Sequence, residues 1–345
     1  MAKLVASYFS NEWNTEVSIE KVRITGFESA ELINLYVEDL RGDTLLFSPK
    51  LSTKLSMLSL DDNFAVLNDV TAKQTRIKLQ KYEGDSVLNF QFIADYFASD
   101  DTTTSSFKIK IKDIILSDIH FSYEDWNKEP IEKGIDFNHI DVKYLSGKIQ
   151  SLRNKDGVTS MNIDGLTFLE KSGFQLENLS CYFLLNETKM KLDGLKLITN
   201  NSNIDCRGVQ FNYHDLGDFS DFVYAVDMNI DFNPTRLYVE DLAYFTPIFW
   251  GFDKNVKIEG NVNGQVNDLF IEDLYLGVSP VTYFKGTGNI KGLPDVENAL
   301  LYLDIQQLQT SAEDLSRIDF KKFGLKEDLL IPKELVTLGV VQIGG

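Results

Sequence analysis

The residues able to do chemistry are few and scattered. The three histidines, His120, His139 and His214, have no partner at metal-ligand spacing. Each sits in or beside a strand-like run, where a hydrogen-bonded structural imidazole is the expected role. The two cysteines, Cys181 and Cys206, form no C-x-x-C pair. Both fall in strand-like runs, so two buried thiols are expected, with a single bridge in an oxidising compartment as the alternative. Carboxylates occur as neighbours in Glu38-Asp39, Asp61-Asp62 and Glu272-Asp273. Adjacent side chains on a strand point to opposite faces, so such pairs cannot share a proton or a calcium ion. Gly286-Thr-Gly-Asn-Ile-Lys-Gly292 has the wrong glycine spacing for a dinucleotide loop and leads into Leu293-Pro294 instead of a helix. It reads as a strand with glycine bends. No G-x-S-x-G, P-loop or H-E-x-x-H is present. The expectation is a protein with no catalytic residues, no metal and no cofactor, and therefore not an enzyme.

Charge narrows the partners. Lys and Arg number 34 against 52 Asp and Glu, a net charge of −18. That balance argues against nucleic acid and against adhesion to an anionic membrane surface. With 43% hydrophobic and 12% aromatic residues the chain can bury a large core. No stretch approaches the ~18–20 apolar residues of a membrane span, and no signal peptide is visible. Met1-Ala2 opens directly into an amphipathic run, a start that suits a chain cut just after an anchor or signal.

The elements are mostly strands. Met161-Asn-Ile-Asp-Gly-Leu-Thr-Phe168 recurs as Met190-Lys-Leu-Asp-Gly-Leu-Lys-Leu197, offset by 29 positions. In each copy Asp-Gly interrupts two apolar/polar alternations, a bulge, bend or turn signal because glycine accepts backbone angles other residues resist. Phe107, Ile109 and Ile111 alternate with Lys108, Lys110 and Lys112; Tyr224, Val226, Met228, Ile230 and Phe232 alternate with Ala225, Asp227, Asn229 and Asp231. Helical spacing appears at 2–13 and 89–97, a polar flexible loop at 101–106, and helix starts at Asn233-Pro234 and near 311. Hence residues 1–100 read as an N-terminal β segment with short helices at 2–13 and 89–97. Residues 107–345 read as continuous β structure with helices near 234–245 and 311–319. Leu-Tyr-Val-Glu-Asp-Leu occurs at both 35–40 and 237–242, and the second copy falls in the expected helix. Nothing supports alternating βαβ units. A sheet of ~16–18 strands would extend roughly 75–85 Å and must coil or fold over.

Several strings resemble the TamB branch of the AsmA-like superfamily, in the version typical of Bacteroidetes-type bacteria. They include Val17-Ser-Ile-Glu-Lys-Val-Arg-Ile24, Leu35-Tyr-Val-Glu-Asp-Leu-Arg-Gly-Asp-Thr-Leu-Leu46, Asn89-Phe-Gln-Phe-Ile93 and Ile109-Lys-Ile-Lys-Asp-Ile-Ile-Leu116. Gly134-Ile-Asp-Phe-Asn-His139, Leu169-Glu-Lys-Ser-Gly-Phe174, the 286–295 run and Ile331-Pro-Lys-Glu-Leu-Val-Thr-Leu-Gly339 continue the likeness. The resemblance implies a mainly β protein, a long coiled antiparallel sheet folded into an apolar-lined trough (a β-taco). It also implies a periplasmic location with an inner-membrane anchor, and a role in outer-membrane biogenesis beside a barrel partner of the TamA or BamA type. The anchor and the barrel-contacting region are not in this sequence, which resembles the membrane-proximal segment of such a protein.

Residue pattern and resemblance meet in one expectation, a bridge-like path for phospholipid acyl chains. An acyl chain needs a dry route because each exposed methylene costs about 0.8 kcal/mol in water. The expected lining is Phe107, Ile109, Ile111, Met161, Ile163, Met190, Leu192, Tyr224, Val226, Met228, Ile230, Phe232, Val256, Ile258 and Val262. Against this stand an ordinary core, since alternating apolar strands usually pack on a second sheet, and a non-lipid scaffold assisting outer-membrane protein assembly by β-augmentation.

Overall fold

The computed structural model of the chain describes residues 2–25, 29–59, 64–98, 108–246, 249–295, 298–316 and 339–344. Phe107, the expected loop at 101–106, residues 317–319 of an expected helix and most of the 331–339 string lie outside the described residues. Backbone hydrogen bonds join eighteen strands into one mixed sheet. The chain gathers into two compact units, Met1–Arg153 with Met161–Glu177, and Asn154–Ser160 with Asn178–Gly345. Among the described residues no helix is long and apolar enough to cross a membrane.

The first unit begins with α1 (Ala2–Trp13), followed by β1 (Val17–Thr25), β2 (Ser29–Glu38), β3 (Thr44–Ser59), β4 (Phe64–Lys73) and β5 (Arg76–Lys81). After α2 (Gln91–Ala98) come β6 (Lys108–Ile111), β7 (Ile114–Asp125) and β8 (His139–Lys155). The β1–β2–β3–β4 ladder is antiparallel. β6 and β7, however, run parallel to β4, and β7 also runs parallel to β5. That is a local departure from the antiparallel pattern read in the sequence. A parallel return needs a long crossover, and α2 lies in one. The helix starts at Gln91, two residues later than its spacing suggested, because Asn89 is committed elsewhere. Its amide donates to Asp39 at 2.9 Å and its side-chain oxygen accepts from the Gln80 N–H.

Alternation gives β1 and β2 one apolar face, and α1 and α2 cover it. Val17, Ile19, Leu35, Val37 and Leu45 are buried there with Ala6, and Val5, Phe9, Trp13, Phe92 and Ile93 pack against them. Each fully buried aliphatic side chain of this kind contributes about 1.5–3 kcal/mol. Trp13 lies edge-on to Phe92, Tyr96 and Phe97 at 6.1–6.3 Å between ring centres, which ties the two helices together. In this part of the sheet the apolar face is an ordinary filled core.

β9 (Val158–Glu170) and β10 (Gln175–Leu185) lead to the second unit's meander: β11 (Lys189–Thr199), β12 (Asn203–Asn212), β13 (Asp227–Tyr238), β14 (Asn255–Gln265), β15 (Asp268–Gly277), β16 (Tyr283–Lys291), β17 (Leu300–Ser311) and β18 (Val340–Ile343). Each pairs antiparallel with the next. A 3-10 helix (Leu216–Asp221) and α3 (Phe222–Ala225) connect β12 to β13; a second 3-10 helix (Val239–Tyr244) follows β13, and α4 (Ala312–Ser316) follows β17.

The helix expected at 234–245 is corrected by this arrangement. Pro234 lies inside β13, which runs on to Tyr238, and only Val239–Tyr244 turns helically. Asn233 does not cap a helix; its amide donates to Asp205 Oδ1 at 2.7 Å and its carbonyl oxygen accepts from Arg207 at 3.1 Å. The two Leu-Tyr-Val-Glu-Asp-Leu copies therefore diverge only after Tyr36 and Tyr238, and the aspartate of each, Asp39 and Asp241, is buried.

Asp-Gly behaves as its chemistry suggests. Gly165 (φ +61°) and Gly194 (φ +62°) occupy the left-handed region in the middle of β9 and β11. The step from Leu192 to Leu195 spans three residues, yet their partners Val209 and Cys206 are also three apart, so both strands are re-phased together. Register shifts follow between Cys206 and Gly208, Phe232 and Thr235, Glu259 and Asn261, Ile271 and Leu274, and Lys285 and Gly286. Successive strands are bulged at corresponding heights, which bends each of them and strengthens local twist.

Candidate functional site

Cross-strand register places the apolar residues of the second unit in rows. One row reads Met190, Phe211, Met228, Gly264, Leu269, Ile290 and Leu301, each directly opposite the next. The adjacent row reads Leu192, Val209, Ile230, Val262, Ile271, Gly288 and Leu303. Beyond the bulges a third runs Thr235, Ile258, Leu276, Phe284, Leu308 and Ile343. Between them Leu195, Cys206, Phe232 and Gly260 stand in line. The result is one apolar strip crossing every strand from β11 to β17.

The opposite face is polar at the same heights from β11 to β14, and Phe270 and Tyr302 continue it as exposed aromatics. Lys191, Gln210, Asn229 and Asn263 form one of its rows, with the amides of Asn229 and Asn263 hydrogen-bonded to each other. Arg207 clamps Asp231 through two nitrogens at 2.5 and 2.7 Å. This ion pair holds the Asp231 carboxyl below its usual range.

Burial along the strip is incomplete. Val209, Met228, Val256, Ile271 and Leu274 are buried, whereas Met190, Leu192, Ile230, Phe232, Ile258 and Val262 are half-buried. Leu301 and Leu303 are 59% and 40% exposed. The helical pieces sit at strand ends. Phe219 and Phe222 pack edge-on against Phe211 at 6.2 and 5.6 Å, next to the β12–β13 connection. Tyr244 meets Trp250 at 5.3 Å beyond the far end of β13. Leu195 and Cys206, in the line between the rows, are buried as well, so the strip is part core and part accessible: closed to water at these positions and partly open at Met190, Leu192, Ile230 and Val262.

The expected lining divides accordingly. Met190, Leu192, Met228, Ile230, Phe232, Ile258 and Val262 share the strip, and Val256 lies at its margin opposite Leu237. Tyr224 does not: it belongs to the helical turn α3 and is exposed. Val226 is fully buried where that turn ends, its N–H bonded to the Phe222 carbonyl, so it is core and no groove wall. The perfect alternation from Tyr224 onward concealed the turn. Met161 and Ile163 lie half-buried on β9 and belong to the first unit. Ile111 is half-buried at the end of β6; Ile109 pairs with Ala65 through its backbone. Sequence reasoning missed Phe211, Leu269, Leu274 and Phe284. Their signal is an alternation that skips one extra residue at each bulge.

Each histidine is paired with a carboxylate: His120 with Asp141 at 3.2 Å, His139 with Asp136 at 2.9 Å and His214 with Asp218 at 3.2 Å. No group of three or more metal-ligating side chains assembles among the described residues. Cys181 and Cys206 are free and buried. Burial, aided by nearby carboxylates, pushes their thiols up to about 11 and about 12. Glu272 and Asp273 do not simply alternate across the sheet, because Asp273 sits at a bulge with φ +47° and both are exposed. Comparison with family models, with curated proteins and with solved structures gives no match to this chain.

Proposed function

We propose that the second unit binds phospholipid acyl chains along its apolar strip and that the chain is one segment of a bridge-like lipid conduit. The observation that carries this reading is the continuity of the rows from β11 to β17 on one face, with half-buried side chains at their centre. Seven strands at about 4.8 Å spacing give a strip roughly 29 Å long, close to the ~30 Å hydrocarbon thickness of a bilayer. An extended tail lying across the strands exchanges water for apolar side chains at each crossing, worth about 0.8 kcal/mol per methylene. The polar opposite face keeps the sheet wettable, and headgroups stay in solvent at the open side. The setting implied by the TamB resemblance belongs to the same proposal: a periplasmic trough anchored to the inner membrane that hands phospholipid towards an outer-membrane barrel partner.

A second reading has one observation in its favour. Leu300, Leu301, Tyr302 and Leu303 are exposed on β17, and among the described residues β18 pairs with its Leu308–Ser311 stretch. Such an edge suits capture of a client strand in an assembly scaffold. Native mass spectrometry of the purified chain with lipid extraction separates the two. Co-purifying phospholipid that is lost in Ile230→Asp supports the conduit. Protein that emerges lipid-free, takes up no added phospholipid and still captures unfolded outer-membrane strands overturns it.

A further inference from the structure

We infer that one end of the first unit is a docking surface for a zwitterionic phospholipid bilayer, an inference independent of the acyl-chain strip. β2, β5 and β7 all finish at this end, because β5 and β7 run parallel and both β2 and β5 run antiparallel to β3. The connections that leave them carry Leu40, Val87, Trp126, Ile131 and Phe137, five large apolar side chains that are 54–59% exposed. A cluster of this kind on a folded surface marks an interaction site.

These loops are fixed to one another by polar side chains. Arg41 Nη2 meets Asp85 Oδ2 at 2.6 Å, joining the β2–β3 tip to the loop after β5, and the guanidinium lies 4.2 Å over the Tyr82 ring. The Tyr82 hydroxyl lies 2.6 Å from Asp39 and 2.7 Å from Asp43. Asn127 donates to the Tyr82 carbonyl at 3.0 Å and accepts from the Gly84 N–H at 2.7 Å, which brings in the β7–β8 loop. Asp136 accepts from the backbone N–H groups of Ile131 and Asn138. The backbone N–H groups of Gly84, Ile131 and Asn138 beside the apolar tips are thus satisfied internally, which lowers the cost of bringing them into a low-dielectric layer. A preorganised surface also loses little conformational entropy on docking.

Charge selects the partner. Around the tips Arg41, Lys128 and Lys133 are outnumbered by Glu83, Asp85, Glu129 and Glu132 together with Asp39, Asp43 and Asp136, an acidic excess that an anionic bilayer repels and a zwitterionic one does not. Lys128 and Lys133 bracket Ile131, with Glu129 and Glu132 between them. Between two proteins these interleaved charges would have to be desolvated, and protein interfaces deplete Lys and Glu at their centres. In a headgroup layer of phosphate and ammonium they remain wet, the lysine stems reaching outward while the tips enter.

Flotation of the full chain with phosphatidylcholine–phosphatidylethanolamine vesicles tests this. Binding should persist in high salt and should weaken as phosphatidylglycerol is added. The Leu40→Ser/Val87→Ser/Ile131→Ser variant should lower partitioning at least about tenfold, from the apolar area removed, with an unchanged far-ultraviolet spectrum. Ile131→Asp alone should do the same if the triple variant is unstable. Ile230→Asp, which disables the strip, should float like the parent chain. Failure of the parent chain to float overturns the inference, including the case in which the loop variants lose a protein partner instead. Flotation that ignores the loop substitutions, or that requires anionic lipid and disappears in salt, overturns it too.

Discussion

Phe232 and Thr235 face the same way although they are three residues apart. Phe232 pairs with Gly260 and Thr235 with Ile258, positions two apart on the neighbouring strand, so the intervening Asn233-Pro234 is absorbed as a bulge. Proline suits a bulge because it asks for no ladder hydrogen bond. The bulge is fastened by side chains: Asn233 bonds Arg207 and Asp205 on the polar face, while the Thr235 hydroxyl, on the other face, donates to the backbone carbonyl of Asp205 at 2.9 Å and accepts from its N–H at 3.0 Å.

Asn233 should therefore matter more than Pro234. Asn233→Ala removes hydrogen bonds to two partners and is expected to cost about 1–2 kcal/mol. Pro234→Ala is expected to stay within about 0.5 kcal/mol, since Pro234 is exposed and surface changes of this kind rarely do more. Urea unfolding of both variants measures the difference. Equal losses would show that the bulge is held by the proline ring and not by its side-chain clamp.

The thiols offer a second check. Burial disfavours the thiolate of Cys181 and Cys206, and the thiolate is the reactive form. Native protein at pH 8 should react with a thiol reagent only through opening, at a rate that urea accelerates steeply. The linked effect on stability has a definite sign. Folded-state values of about 11 and about 12 exceed the ordinary ~8.5, so the contribution is complete below about pH 8.5 and declines as pH rises towards the folded values. Rapid native labelling of either cysteine would contradict its buried position.

Acid should act through the opposite sign at Asp39. Burial pushes its carboxyl up, but the Tyr82 hydroxyl, the Asn89 amide and the N–H groups of Arg41 and Asp43 overcome that and hold it low. A depressed carboxyl contributes its stability above the unfolded value near 3.9, and that contribution is lost as pH falls through the folded one. Asp39→Asn should cost about 1–3 kcal/mol at pH 7 and reduce the loss seen on acidification below pH 4. Circular dichroism across pH 2–7 for parent and variant reads both. An unchanged acid profile would show that Asp39 is not a principal acid trigger.

Legibility in the sequence followed chemical locality. Alternation is local, so strands such as β11 and β14 and the shared face of Met190, Leu192, Ile258 and Val262 were readable residue by residue. Asp-Gly announced its left-handed glycines because few other residues adopt that backbone. What failed depended on distant partners. Asn233-Pro234 resembles a helix start until Arg207 and Asp205 are seen to occupy the asparagine. Tyr224 belongs to the Met228 pattern by spacing, yet the turn at Phe222–Ala225 is set by ring contacts with Phe211 that lie outside the local window. The parallel return of β7 beside β5 has no local signal at all, since it follows from the crossover through α2. The three-residue steps at the bulges broke each run into pieces too short to reveal the full rows.

The glycines on the strip yield the most discriminating prediction. A Cβ added at Gly286 would collide with the carbonyl oxygen of Asp304 and lie 2.9 Å from Phe284 Cζ; at Gly288 it would strike the Tyr302 carbonyl oxygen. At Gly264, whose φ is +97°, it would strike the Asp268 carbonyl oxygen. Backbone cannot swing aside as a side-chain tip can, so these alanine substitutions force neighbouring strands apart at a cost of about 1–3 kcal/mol or more. Gly208 is the control, because a Cβ there meets only Asp193 Oδ1 at 3.6 Å, an ordinary contact. Gly286→Ala should therefore destabilise strongly in urea and weaken acyl-probe capture, while Gly208→Ala leaves capture unchanged. If the strip binds lipid merely by being greasy, the added methyl group would instead increase capture. The two substitutions thus decide whether close strand approach, as well as apolarity, shapes the surface on which a fatty chain would lie.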